Sequence, residues 1–113
     1  MISGVGVDIE SIQRFKKTCK NKNFLNLIFT EEEIKYCKNK KEPYISFAGK
    51  FCAKEAVIKA YGKKIPFTNM EINAQSGKPA VYVNGKKRRN IHCSISHTRE
   101  YAVAFVIIDR RFK

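Results

Sequence analysis

Apolar residues along this chain recur with two periods, and they divide it into an early helical part and a late strand part. Val5, Val7 and Ile9 alternate with Gly4, Gly6 and Asp8, which predicts a strand over 2–8 with a glycine-rich face. Helical spacing follows over 9–20, 31–40 and 43–61, and in the last of these positions 48, 51, 52, 55, 58 and 59 share a face. Strands are expected at 69–74, 79–84, 91–96 and 101–108, the last an unbroken apolar run of the kind found in a buried strand. Ser76-Gly77 and Asn84-Gly85 are turn dipeptides between strands, and Gly62 suits the end of the long helix. Thr30 followed by Glu33 forms a capping box, so the acidic triplet Glu31-Glu32-Glu33 needs no catalytic explanation. Helices grouped early and a mainly antiparallel sheet late predict an α+β fold, in a single domain spanning 1–113.

Two carboxylates interrupt this pattern. Glu55 falls on or beside the apolar face of the long helix, with Lys54 next to it and Lys59 one turn later. A carboxylate is rarely kept against an apolar surface unless it is paired, coordinated or used. An ordinary Glu55–Lys59 helix pair, contributing about 0.3–0.5 kcal/mol, is the plain alternative. Asp8 ends the glycine face of the first strand, where a helix can approach closely. It also suits the N-cap of the helix that follows. One carboxylate on a strand and one on a helix are the minimum for a hard divalent cation, because Mg²⁺ takes only one or two protein carboxylates and fills its octahedron with water and phosphate.

A third polar segment lies late in the chain. In Ile91-His92-Cys93-Ser94-Ile95-Ser96-His97-Thr98, residues 91, 93 and 95 face one way, and His92, Ser94 and Ser96 the other. Hydroxyls, an imidazole and a tight turn together can donate several hydrogen bonds to phosphate oxygens. A strand with one solvated face explains the same pattern without a ligand.

Charge adds a partner to the picture. Lys and Arg number 23 against 10 Asp and Glu, a formal net charge of +13. Such an excess calls for a polyanion: nucleic acid, an anionic membrane, an acidic protein or a nucleotide. Arg14, Lys16, Lys17, Lys20 and Lys22 form a basic helix and exit after Asp8, and Lys86-Lys87-Arg88-Arg89 is a second basic run after a turn. The cysteines (Cys19, Cys37, Cys52, Cys93) contain no C-x-x-C pair, which argues against zinc and for reduced, mostly buried thiols in a cytosolic protein. No apolar run approaches the ~20 residues of a membrane span. Gly4-x-Gly6 lacks the third glycine of a dinucleotide fingerprint.

Gly4-Val5-Gly6-Val7-Asp8-Ile9, Lys54-Glu55-Ala56-Val57-Ile58-Lys59-Ala60, Gly77-Lys78-Pro79 and Ser94-Ile95-Ser96-His97-Thr98, in this order and spacing, resemble the holo-[acyl-carrier-protein] synthases. These are the small 4'-phosphopantetheinyl transferases, and the resemblance covers essentially the whole chain. It implies that the phosphopantetheine arm of coenzyme A is moved to a serine hydroxyl of an acidic acyl carrier protein, with release of adenosine 3',5'-bisphosphate. It implies Mg²⁺ as cofactor, held by Asp8 and Glu55, and a homotrimer with active sites between neighbouring subunits.

Further roles follow from the same resemblance. Asp8, Glu55 and Lys59 would be catalytic, with Glu55, directly or through a water, taking the serine proton and His97 as the alternative base. Lys54, Lys59, Ser94, Ser96 and His97 would bind coenzyme A. Arg14, Lys17 and Lys20 would dock the carrier protein. The run 86–89, by itself a solvated turn or a nonspecific nucleic-acid contact, would within this resemblance reach the coenzyme A 3'-phosphate. Neither membrane nor nucleic acid is then a partner. The segment Gly62–Met70 is shorter than the family's loop after the catalytic helix, and Cys52 stands where a small residue is common. From charge and neighbouring aromatics alone, the rival expectation is a small basic RNA-binding or ribosome-associated protein, which would tolerate loss of Asp8 and Glu55.

Overall fold

A computed structural model describes residues 1–110. Strand β1 (Ile2–Ser11) leads into helices α1 (Ile12–Thr18), α2 (Lys22–Ile28), α3 (Glu31–Lys38) and α4 (Pro43–Tyr61), followed by β2 (Met70–Gln75), β3 (Lys78–Val83), β4 (Lys86–Lys87), β5 (Ile91–His97) and β6 (Tyr101–Asp109). The strands form two antiparallel sheets, ordered β1-β6-β5 and β2-β3-β4. The α+β class therefore holds, but the expected late sheet is two sheets. The first strand of the chain pairs with the last.

Three boundaries differ from the sequence pattern for local reasons. β1 continues through Ser11, whose hydroxyl accepts from Arg14 N and caps α1, so Asp8 lies inside a strand and is not an N-cap. The helix expected over 9–20 is the shorter α1. The unexpected helix α2 starts at Asn21, whose side chain accepts from the amides of Asn23 and Phe24. Its Phe24 packs edge-on against Phe15 of α1 at 5.7 Å between ring centroids. A seven-residue helix gains little from propensity, so the packing of Phe24, Leu25 and Ile28 is what holds it.

Helix α4 starts with Pro43 in its first turn and ends at Gly62, which takes the left-handed conformation (φ +74°). It is buried on nearly every side, including Phe47, Ala48, Cys52, Ala53, Ala56, Val57 and Ala60, which is more than the expected stripe. One side meets the β1-β6-β5 sheet at the small residues Gly4, Gly6, Ala102 and Ala104. A Cβ on Gly4 would lie 2.0 Å from the Ala60 carbonyl oxygen, and one on Gly6 1.9 Å from that of Ala56. Two strand residues rise about 6.6 Å and four helical residues about 6 Å, so strand and helix run in step. The next step along that register brings Asp8 to the stretch of α4 that holds Cys52, Glu55 and Lys59 on successive turns.

The opposite face of this sheet is open and apolar. Val5 (53% exposed), Val7 (52%) and Ile9 (61%) stand beside Phe105 (43%) and Tyr101 (50%). β1 and β6 are paired in register there, Val7 opposite Phe105.

Replacing Gly6 by alanine should force strand and helix apart, at a cost of about 3 kcal/mol by comparison with other overpacked sites. Urea unfolding followed by circular dichroism measures it. A loss below about 0.5 kcal/mol would mean that the contact relaxes freely.

Candidate active site at the strand–helix junction

Asp8 is held at the point where β1 crosses α4. Its side chain is about nine-tenths buried, with Oδ1 3.2 Å from the Lys59 ammonium. That ammonium also donates to the Val7 carbonyl at 2.9 Å, so Lys59 reaches across to the strand instead of pairing with Glu55 along its own helix. Asp8 Oδ2 is buried and has no hydrogen-bond partner. Glu55 is partly buried on the same turn. Burial, then the nearby Asp8 charge, pushes its carboxyl up, and Lys59 counteracts in part. Three expected site residues, Asp8, Glu55 and Lys59, are thus brought together.

Glu10 joins them and was missed in the sequence. It lies two residues beyond Asp8 on the same face of β1, opposite Ala102 where Asp8 is opposite Ala104. Burial, then the nearness of the Asp8 carboxylate, pushes its carboxyl up to about 7. The available signal was the i, i+2 spacing of Asp8 and Glu10, and it vanished once the helix was started at residue 9.

Lys54 departs from its expected role. Its side chain is fully buried on the other side of α4. The ammonium donates to Glu33 Oε1 at 2.6 Å, to the Ile28 carbonyl at 2.8 Å and to the Phe67 carbonyl at 3.1 Å. All three of its hydrogens are accounted for, so it faces no phosphate. Glu33 forms the expected capping box with Thr30 and also accepts from Ile72 N at 2.7 Å. Glu33 was assigned to capping alone; its second task is to neutralise a buried lysine.

The expected phosphate donors are also divided. His97 lines a cavity of about 500 Å³ together with Lys40, Lys41, Lys50, Lys78 and Asn73. Ser94 and Ser96 do not. By strand alternation they lie on the open sheet face, opposite Phe105 and Val103. Asp8 and Glu55 are likewise outside the cavity lining. A smaller cavity of about 320 Å³ is bounded by Lys78, Lys87, Arg88 and Arg89, while Lys86, Lys87 and Arg89 remain exposed to solvent. Arg14 and Lys17 are exposed on α1, and Lys20 is exposed just past its end. The four thiols are free, and three of them are buried.

The family model for the 4'-phosphopantetheinyl transferase superfamily matches residues 4–106. The chain belongs to this superfamily. Within it, the holo-[acyl-carrier-protein] synthase of Thermodesulfovibrio yellowstonii is 45% identical over 113 residues, covering 96% of this chain and 99% of the relative. Among solved structures, the Bacillus anthracis synthase in complex with CoA (3',5'-ADP) superposes with a TM-score of 0.84 at 34% identity, covering 96% of each chain. The Neisseria meningitidis synthase gives 0.85 at 30% identity, covering 97% of this chain and all of that one. The resemblance drawn from the four sequence motifs is therefore correct, and membership of the transferase superfamily leaves the RNA-binding alternative unsupported.

For this transferase the placement of Lys54 predicts a stability effect. Lys54→Ala leaves Glu33 buried without its cation and should cost about 3–5 kcal/mol. Urea denaturation should show the loss, while the fraction that remains folded keeps its coenzyme A affinity. A selective fall in coenzyme A affinity with unchanged stability would return Lys54 to the phosphate site.

Proposed function

We propose that this chain is a holo-[acyl-carrier-protein] synthase, moving 4'-phosphopantetheine from coenzyme A to a serine of apo acyl carrier protein and releasing adenosine 3',5'-bisphosphate. The observation that carries the site assignment is the meeting of Asp8, Glu55 and Lys59, with Asp8 Oδ2 buried and unpartnered. A buried carboxylate oxygen without a donor is costly unless a cation takes it. Carboxylate oxygens are the ligands that Mg²⁺ prefers, so the donor set fits this ion, with Asp8 and Glu55 as its holders. When bound, Mg²⁺ supplies neutralisation of the pyrophosphate and polarises the phosphorus under attack.

The remaining work falls to the chain's own groups. The serine oxygen forms a new bond to the phosphorus that carries the pantetheine, and the bond from that phosphorus to the bridging oxygen breaks. Lys59 offsets charge on the departing bisphosphate. Glu55, its carboxyl raised by burial, takes the serine proton through a water, while His97 donates to phosphate. The cavity bounded by Lys40, Lys50, Lys78 and His97 suits the phosphorylated nucleotide end of coenzyme A. Exposed Arg14, Lys17 and Lys20 suit an acidic carrier helix.

On one chain the nucleotide cavity and the carboxylates do not share a lining, and the sheet between β1 and β5 presents an unpartnered apolar face. Both features support a homotrimer that closes this face and completes each site from two subunits. No helix among the described residues is long and apolar enough to cross a membrane, which suits a cytoplasmic enzyme.

Incubation with coenzyme A, Mg²⁺ and apo carrier should add one phosphopantetheine to the carrier by mass spectrometry. Asp8→Ala and Glu55→Ala should each lower turnover by about a hundredfold or more, with the fold intact. Near-normal turnover in either variant would refute the assignment. Analytical ultracentrifugation tests the assembly: the parent chain should sediment at three times the mass of Val5→Asp, with activity lost in the variant. A monomeric parent chain with full activity would exclude the trimer.

A further inference from the structure

A second basic cavity, of about 320 Å³, takes no part in the proposed reaction. It opens at the edge of β3, where β4 pairs only with Tyr82 and Val83. Past β4 the chain stays beside β3: the Arg88 amide donates to the Val81 carbonyl at 2.8 Å, and Arg88 and Arg89 border the cavity. Strand alternation places Lys78, Ala80 and Tyr82 on one face, with Lys87 opposite Tyr82. The small Ala80 leaves room between the long side chains of Lys78 and Lys87. Gln75 accepts from the Lys87 ammonium at 2.8 Å and is itself fixed by a bond to the Tyr82 hydroxyl at 2.7 Å. Four cationic side chains therefore border one space.

The cavity wall itself does nothing to offset that charge. No Asp or Glu borders the cavity, and the Lys78 and Arg89 side chains have neither a hydrogen-bond nor an ion-pair partner among the described residues. Arg88 donates through Nη2 to the Val83 carbonyl at 3.0 Å, while its Nε is buried without an acceptor. A buried guanidinium hydrogen without an acceptor is costly. A water satisfies such a hydrogen but leaves four like charges crowded, whereas an anion accepts the hydrogen and offsets the charge. Phosphate brings two charges and several acceptor oxygens, and Arg with Lys is the donor set that recognises it. We propose that this cavity binds a phosphate group, as the free ion or as a small phosphomonoester, at a site separate from the cavity assigned to coenzyme A. None of Asp8, Glu55 and His97 borders it. Lys78 borders both cavities, so Lys87, Arg88 and Arg89 are the groups that set this site apart.

Titration of the intact ¹⁵N-labelled protein with inorganic phosphate, followed by amide chemical shifts, locates the site. Shifts should concentrate at 80–81 and 87–91 and should persist at saturating coenzyme A. Lys87→Gln should weaken phosphate binding about tenfold, as loss of one charge-assisted hydrogen bond does, and Arg88→Gln at least as much. Arg88 also holds the Val83 carbonyl, so circular dichroism checks the fold of that variant, and Lys87→Gln decides the matter if it does not fold. Lys35→Gln, which alters an exposed lysine on α3, should leave binding unchanged. A parallel titration with glycerol 3-phosphate distinguishes the sources. Tighter binding of the ion names free phosphate, tighter binding of the ester names a phosphomonoester, and either supports the site. Shifts confined to the surroundings of Lys40, Lys50 and His97, or loss of the shifts at 87–91 when coenzyme A is added, would overturn the proposal. So would the absence of any shift, or an effect of Lys35→Gln as large as that of Lys87→Gln. Phosphate binding is read without carrier or turnover, so failure here leaves the proposed reaction standing.

Discussion

The close approach of a bare strand to a helix governs the rest of this molecule. Gly4 and Gly6 let the backbone of β1 lie against the carbonyls of Ala60 and Ala56, nearer than any side chain would permit. Strand and helix steps match in length there. The register that positions the glycines therefore also positions Asp8, and neither is adjustable alone. Small side chains at Ala102 and Ala104 extend the same principle to β6. An active site made from two elements needs their spacing fixed to a fraction of an ångström. Backbone contact fixes it more rigidly than flexible side chains could.

On the far side of α4 the constraint is electrostatic. The pair formed by Lys54 and Glu33 has no exposed surface, and it gathers carbonyls from α2 and from the segment after α4, together with an amide of β2. Ionised groups at such depth are tolerated only when their hydrogen-bonding capacity is filled. Lys54 meets this condition with three acceptors, and desolvation still lowers its proton affinity. The pair ties α2, α3, α4 and β2 together at one point. A purely apolar contact would not single out one arrangement of these loops so sharply.

Much of this was legible in the sequence where a local rule acted alone. The glycine face of β1, the capping box at Thr30, the span of α4 and the turns at Gly62, Gly77 and Gly85 each follow from short-range chemistry, and each was found. Errors arose where two rules competed. Asp8 and Ser11 are both good N-caps, and strand pairing with β6 through Tyr101 decided for Ser11. Starting the helix at residue 9 then hid Glu10 from the strand face. Helix α2 has too weak a periodicity to register over seven residues. Its aromatic partner on α4, Phe51, is distant in sequence. Lys54 was misplaced for a related reason: motif position says which residue occupies a site, but not which way a helix turns it. Only packing against α3 shows that Lys54 and Glu55, adjacent in the chain, point to opposite sides.

That adjacency shapes how the helix can change over time. One turn of α4 carries a buried, paired cation on one side and the carboxylate proposed to react on the other, so a small rotation of the helix would disturb both together. If Glu55 has the role proposed for it, substitutions at 54 and at 55 would look alike in any screen that scores product alone, although the first would act through the fold and the second through the chemistry. Drift at Lys54 is correspondingly tied to Glu33, twenty-one positions earlier, whereas drift at Glu55, in the role proposed for it, would answer to the substrate.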